Sequence, residues 1–517
     1  MRATPIKLTR RPLFGALLLG AASVLAYAPL GWFPLIWVTL GGLFALLCAA
    51  AGSGSGGGMR AGAALGGAFG AGFFLAGVSW VYVSLSVFGG MPAPVAALAT
   101  LLFCFVLALF PALAGALFVH LAPPSAAARA LLFAALWTLD EWLRGWVFTG
   151  FPWLAAGYSQ APPSPLAGFA PLFGVYGVSL LTAFGAALGA AWLRQRWSVP
   201  AAASGGTRRA LLPALCIVGL LGGGALLREV RWTVAEGEPL SVALLQGNIP
   251  QDMKWRPEKF ADSLRVYYRL ALEHPAQLTV LPETALPAFL DQVPGEYLDE
   301  LKKLALRRDG DLLFGIAVGD GERYANAAVS LGASPMQRYA KSHLVPFGEF
   351  VPPGFAWFLA MAQIPMSDFT PGATTQPPLA IAGQRVAVNI CYEDVFGEEI
   401  IRALPAASLL VNVSNVAWFG DSLAPAQHLQ IAQMRALEAG RMMLRATNTG
   451  MTAIVGADGR ALSVLPPFTR GALTGEVRGY AGATPYVRWG NWPAVLGALL
   501  VVGACGAFRL FARRRRR

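Results

Sequence analysis

Long apolar runs alternate with short polar loops over the first 228 residues, and one more apolar run lies at 492–511. A helix needs about 20 apolar residues to cross the hydrocarbon core of a bilayer. By that measure the runs 12–28, 31–51, 62–86, 94–121, 128–144, 166–193, 210–228 and 492–511 predict about eight transmembrane helices. The fifth is the least regular, because Asp140, Glu141 and Arg144 crowd its end.

The pattern changes between 229 and 490. Short β-rich runs recur at Ser241–Gln246, Leu278–Leu281, Leu312–Val318, Arg385–Ile390, Leu409–Val413 and Thr452–Val455. Helical periodicity lies between them, at Pro257–Glu273, Glu296–Arg308 and Ala424–Ala439. Strands alternating with helices predict an α/β domain. Three parts follow: helices at 1–228, an α/β domain at 229–490, and a final helix with an Arg tail at 491–517. No internal repeat is visible in the sequence.

Composition agrees with a membrane protein. The 517 residues are 56% apolar and 13% charged, against about 25% charged in soluble domains. The net charge of +12 resembles a nucleic-acid signal until it is divided. Residues 229–490 hold 22 Lys and Arg against 26 Asp and Glu, and the rest holds 18 against 2. The excess therefore sits beside the apolar runs, and no nucleic-acid partner is expected. Basic residues cluster in the N-terminus (Arg2, Lys7, Arg10, Arg11), after alternate runs (Arg60, Arg129, Arg194, Arg196, Arg208, Arg209) and at Arg513–Arg517. That bias predicts those segments on the cytoplasmic side and 229–490 on the outer side of the cytoplasmic (inner) membrane, facing the periplasm. The start also resembles a signal peptide ending at Ala26-Tyr27-Ala28, but Pro29 argues against cleavage. The Gly/Ser run 52–58 reads as a flexible loop.

Cys48, Cys104, Cys216 and Cys505 fall in apolar runs and read as small buried hydrophobes. Cys391 is the one cysteine of the α/β region, a flag for a reactive thiol. The strand Arg385–Ile390 runs straight into it, and Tyr392, Glu393 and Asp394 lead towards a helix. A strand-to-helix turn holds a nucleophile rigidly, offers the next N–H to an oxyanion, and favours the thiolate. Among the four histidines, His120 and His274 read as structural, while His343 and His428 stay open as bases. Glu283, at the end of an apolar strand, and Lys341, with Glu349 eight residues on, have better settings. A buried Glu with a raised pKa can take a thiol proton, and a fixed ammonium can stabilise an oxyanion. No Cys/His cluster has metal-ligand spacing, and no cofactor is expected.

Glu283, Lys341 and Cys391, in that order, resemble the carbon–nitrogen hydrolase (nitrilase) superfamily, with its Glu base, Lys oxyanion partner and Cys nucleophile. Further motifs are Gln246–Gln251, Leu281-Pro-Glu283-Thr, Lys341 to Glu349-Phe-Val-Pro, Cys391-Tyr-Glu393 and Ser414 to Asp421-Ser. With eight spans, these resemble the bacterial apolipoprotein N-acyltransferase family over essentially the whole chain. The resemblance implies an α-β-β-α sandwich domain, supporting roles for Glu349, Glu393 and Tyr392, and substrate contacts for Trp255 and Asn326. It also implies a ping-pong reaction. An sn-1 acyl chain passes from a phospholipid, with phosphatidylethanolamine expected, to Cys391, and then to the α-amine of a diacylglyceryl-cysteine lipoprotein. The partners are thus two lipidated substrates and the bilayer, and a monomer is expected. Phe355–Ala362 reads as either an interfacial lid or an ordinary buried helix. The alternatives are a membrane-tethered amidase, which the many spans disfavour, and a transporter, which the near absence of intramembrane charge disfavours.

Overall fold

The computed structural model describes residues 10–52, 58–198, 206–254, 256–319, 323–352, 354 and 368–515. Trp255, the Gly/Ser run at 53–57, the segment 355–362 and the outermost basic residues lie outside them. The chain forms two compact units: Met1–Ser79 with Ala97–Val230 and Trp489–Arg517, and Trp80–Ala96 with Arg231–Arg488.

The first unit is helical. Among the described residues, four helices are long and apolar enough to cross a membrane, at Gly58–Gly77, Ala93–Leu121, Pro165–Gln195 and Trp492–Ala512, and Leu35–Ala51 and Leu211–Leu227 are shorter apolar helices. Close packing here uses small residues, as membrane helices do. A Cβ on Gly20 would strike the Phe69 carbonyl, and one on Gly72 the Leu17 carbonyl, so Arg10–Ser23 and Gly58–Gly77 pack backbone to backbone. The charged end of Ala126–Arg144 is buried, and Glu141 and Arg144 have hydrogen-bond partners there. Glu141 accepts from Trp137 Nε1 at 2.6 Å and Ala156 N at 2.7 Å, and Arg144 donates to the Phe151 and Trp153 carbonyls at 2.6 Å. Cys48 and Cys104 are buried as expected, but Cys216 is exposed on an outer helix face and Cys505 partly so.

One expected element divides. The apolar run 62–86 breaks after Gly77 and resumes as a short helix at Val81–Val83. Residues 80–96 belong to the other unit, with a π turn at Ser84–Phe88. Their aromatic and hydroxyl side chains have partners there, and those contacts outweigh the continuity of the apolar run.

The second unit is an α-β-β-α sandwich, as the resemblance implies. Its strands are β1 (Val234–Gln246), β2 (Leu278–Val280), β3 (Asp311–Gly319), β4 (Tyr324–Gly332), β5 (Arg338–Ala340), β6 (Leu379–Ile381), β7 (Gln384–Ile390), β8 (Leu409–Ser414), β9 (Met443–Thr447), β10 (Ala453–Val455), β11 (Ala461–Val464) and β12 (Gly471–Ala481). They form two sheets, ordered β12-β1-β2-β3-β4-β5 and β11-β10-β9-β8-β7-β6. The period of two along each strand explains the layering. Val242 and Leu244 of β1 meet Val386, Val388, Val411 and Leu444 between the sheets. Ala243 and Leu245 turn the other way, against Pro257–Glu273 and Gly295–Leu306. On the far side Ala387, Leu410 and Met443 pack under Ala424–Ala439.

Candidate active site

Glu283 and Cys391 each follow the carboxyl end of a strand with a parallel neighbour, β2 and β7, where α/β sheets place their ligands. Both turns are tight: Cys391 has φ 54° and Thr284 φ 46°. Non-glycine residues adopt such values at a cost and cluster at functional sites. Lys341 directly follows β5, and its N–H bonds the Asn326 carbonyl of β4 at 2.8 Å.

The side chains converge. Lys341, 1% exposed, donates from Nζ to Glu349 Oε1 at 2.9 Å and to Glu283 Oε1 at 3.4 Å. Asn326 Nδ2 donates to the same two oxygens, at 2.8 and 2.7 Å. Glu283 Oε2 accepts from Asn415 N at 2.8 Å, and Glu349 Oε2 from Val345 N at 2.8 Å. The motif after Lys341 thus folds back so that its carboxylate meets its own lysine.

Burial alone would raise the Glu283 carboxyl. Lys341, the Asn326 amide, Lys254 and the Asn415 N–H outweigh it and hold Glu283 below the usual carboxylate range. This reverses the sequence expectation of a raised base, because burial here comes with cations and donors. Burial also opposes the Lys341 ammonium, but Glu349 and Glu283 hold it above an ordinary lysine. The Cys391 thiol is raised by desolvation and then by Glu283, with Lys341 only partly opposing. The expected thiolate-favouring turn is therefore overruled. The arrangement holds a neutral thiol in the field of an ionised carboxylate.

Glu393 has another place. Its Oε1 accepts from Tyr339 Oη at 2.9 Å, Ser342 N at 2.7 Å, Ser342 Oγ at 2.9 Å and His343 N at 3.2 Å, and its Oε2 accepts from Ile390 N at 2.7 Å. It ties the Lys341 loop to the Cys391 turn. The Tyr392 ring meets those of His343 and Phe396 at 5.9 and 5.2 Å. His343 stacks on Phe396 at 3.8 Å, with Nδ1 3.1 Å from Glu399 Oε1. His428 is buried with Nε2 2.6 Å from Asp394 Oδ1.

Three groups escaped the sequence reading. Arg445 Nη1 donates to Asp394 Oδ2 at 2.9 Å and Asn412 Oδ1 at 2.6 Å, and Asn412 Nδ2 donates to the Cys391 carbonyl at 3.2 Å. Residues 80–88 cover the Trp418-Phe419 motif: Ser84 Oγ donates to the Trp418 carbonyl at 2.7 Å, and the Trp80 and Phe419 rings lie 4.7 Å apart. Lys254 reaches the Glu283 turn. Only Lys254, beside the Gln246–Gln251 motif, carried a local signal; the others are joined by distant pairing alone.

Residues 19–188 match the model of the apolipoprotein N-acyltransferase N-terminal domain, and 241–486 that of carbon–nitrogen hydrolases. An apolipoprotein N-acyltransferase of Nitrosomonas europaea is 51% identical over 502 residues, covering 96% of this chain and 97% of that one. One of Ralstonia nicotianae is 47% identical over 513 residues, covering 97% and 93%. A solved carbon–nitrogen hydrolase of Helicobacter pylori G27 aligns over 46% of this chain and 89% of that one, at 19% identity and a TM-score of 0.36. With relatives of nearly half identity along nearly its whole length, the chain belongs to the apolipoprotein N-acyltransferase family.

Proposed function

We propose that the chain takes an sn-1 acyl group from a phospholipid onto Cys391 and delivers it to the α-amine of a diacylglyceryl-cysteine lipoprotein. The observation that carries this reading is the buried cluster of Lys341 between Glu283 and Glu349, coupled in charge to the Cys391 thiol. In the first half-reaction Glu283 takes the thiol proton as sulfur bonds the acyl carbon. The Lys341 ammonium and the Tyr392 N–H stabilise the oxyanion. The carbon–oxygen ester bond breaks, the proton passes from Glu283 to the departing alkoxide, and a lyso-phospholipid leaves. In the second half the amine attacks the thioester, Glu283 takes a proton from nitrogen, the carbon–sulfur bond breaks, and the proton passes from Glu283 to the departing sulfur to restore the thiol. Glu349 orients Lys341, Glu393 and Tyr392 hold the Cys391 turn, and Asn326 holds both carboxylates. Trp255 is assigned a substrate contact.

The proposed organisation is about eight spans with domains at 1–228, 229–490 and 491–517, and one copy as the working unit. The cytoplasmic membrane holds it, with 229–490 on the periplasmic side. Two acylated substrates give the spans a purpose, since neither leaves the bilayer easily. Intact-protein mass spectrometry with phosphatidylethanolamine tests the first half-reaction. One acyl mass is expected on wild type and none on Cys391→Ala; an equal adduct on the variant sinks the assignment.

A further inference from the structure

Lys254 is a buried lysine that the chemistry above does not use. It is 2% exposed, at the end of the turn Gln251–Lys254. Its Nζ donates to the Thr284 hydroxyl at 2.5 Å and to the Glu283 carbonyl at 3.2 Å. Both acceptors are neutral, and no ion pair of Lys254 within 4 Å occurs among the described residues. A buried ammonium without a paired anion is costly, and a methionine of similar length would fill the space without that cost. Strongly perturbed groups of this kind cluster at functional sites.

The same turn grips Glu283 from a second direction. Gln251 Oε1 accepts from Asn415 Nδ2 at 2.8 Å, and Asn415 N donates to Glu283 Oε2 at 2.8 Å. Lys254 holds the backbone of Glu283, and Gln251 holds its carboxylate through Asn415. Between them lies Thr284 with its positive φ, a conformation that persists only where its surroundings enforce it.

We propose that Lys254 is a positioning residue for the proton acceptor of the reaction: it clamps the Glu283–Thr284 turn and adds a second positive charge to the site. This rests on the reading of Glu283 as the base. Burial pushes Lys254 down to about 7, with the Glu283 and Cys391 charges opposing. Those are the ionisable groups whose charge reaches it; Lys341 and Glu349 act through Glu283, and Asp252 shares its turn.

The test measures the rate of thioester formation from phosphatidylethanolamine by the full-length purified protein between pH 5.5 and 8.5. Wild type is expected to bend near pH 7. Lys254→Met is expected to acylate about 30-fold more slowly, without the bend, and with phospholipid KM within about twofold. Thr284→Val removes one of the two acceptors and is expected to lose about 3-fold with the bend retained. A folded Lys254→Met with the wild-type rate and bend, losing only thermal stability, overturns the proposal. If Lys254→Met does not fold, an unchanged rate in Thr284→Val overturns it. Glu283→Gln separates the two ideas: normal acylation there sinks the base assignment, whereas a block there beside a normal Lys254→Met sinks only the role of Lys254.

Discussion

Two buried charge clusters meet at the Cys391 turn, and they differ in balance. In one, the Lys341 ammonium faces two carboxylates, Glu283 and Glu349. In the other, Asp394 faces the Arg445 guanidinium and the His428 ring, and burial pushes the His428 pKa down towards the neutral ring. The first sets two carboxylates against one directly paired ammonium, with Lys254 as a more distant cation, and its Glu283 Oε1 is shared between Lys341 and Asn326. Lys341 and the donors around Glu283 favour its ionised form, so a proton taken up there is readily passed on. The second is balanced and enclosed, and it touches the Cys391 turn through Asn412, which donates to the Cys391 carbonyl. Burial and ion pairing alone therefore do not mark a reacting group. An unbalanced charge with shared acceptors does.

The comparison breaks most sharply at the unbalanced cluster. Cys391→Ala is expected to abolish the acyl adduct with melting temperature little changed, and Glu283→Gln to slow acylation about 10²–10⁴-fold. A Glu283→Gln enzyme that acylates at the wild-type rate removes the distinction between the clusters. Arg445→Met is expected to do the opposite. It strands Asp394 and costs about 3–5 kcal/mol of stability, read by denaturation, while the folded fraction acylates within about 10-fold of wild type. Adding Asp394→Asn should restore part of that stability, because the two residues are coupled.

A smaller effect lies in the pH dependence. The folded-state pKa of Glu283 is held below its ordinary value of 4.5. Its contribution to stability is thus present above about pH 4.5 and is lost as pH falls through the folded value. Lys341 is raised above 10.5, so its contribution holds below that pH and fades only above its folded value. Glu393, raised by burial, works in the opposite sense to Glu283. Melting curves from pH 7 to 3 should therefore fall less steeply in Glu283→Gln than in wild type. Asn326→Ala, which removes one donor from Glu283, should move the acid limb of wild type upward by a fraction of a pH unit. An unmoved limb would mean that Asn326 does not hold the carboxylate in its ionised form.

Much of the α/β unit was legible because its strands are short apolar runs ended by turn residues. Pro257–Glu273 and Ala424–Ala439 fall where their periodicity puts them. β4 and β12 escaped because Ala, Asn, Ser and Gly give weak strand signals, and pairing rather than propensity forms them. The run 62–86 misled because hydropathy does not see that Ser84 and Trp80 have polar partners near Trp418 and at Gln427. Glu283, Lys341 and Cys391 were legible from motif and order. The sign of the Glu283 shift was not, since it depends on Asn326 and Asn415, which only the fold brings to it. Lys254 is the same case: a lone Lys in a polar stretch is unremarkable until it is buried.

The central claim is that the acyl group rests on Cys391 and leaves to an amine. The most direct test isolates the acylated enzyme, adds a diacylated lipopeptide, and measures how the acyl group divides between the lipopeptide amine and water. Nearly all of it is predicted to appear as amide, with little free fatty acid while the lipopeptide is present. Equal loss to water with and without lipopeptide would contradict the account and make the protein a membrane-tethered hydrolase.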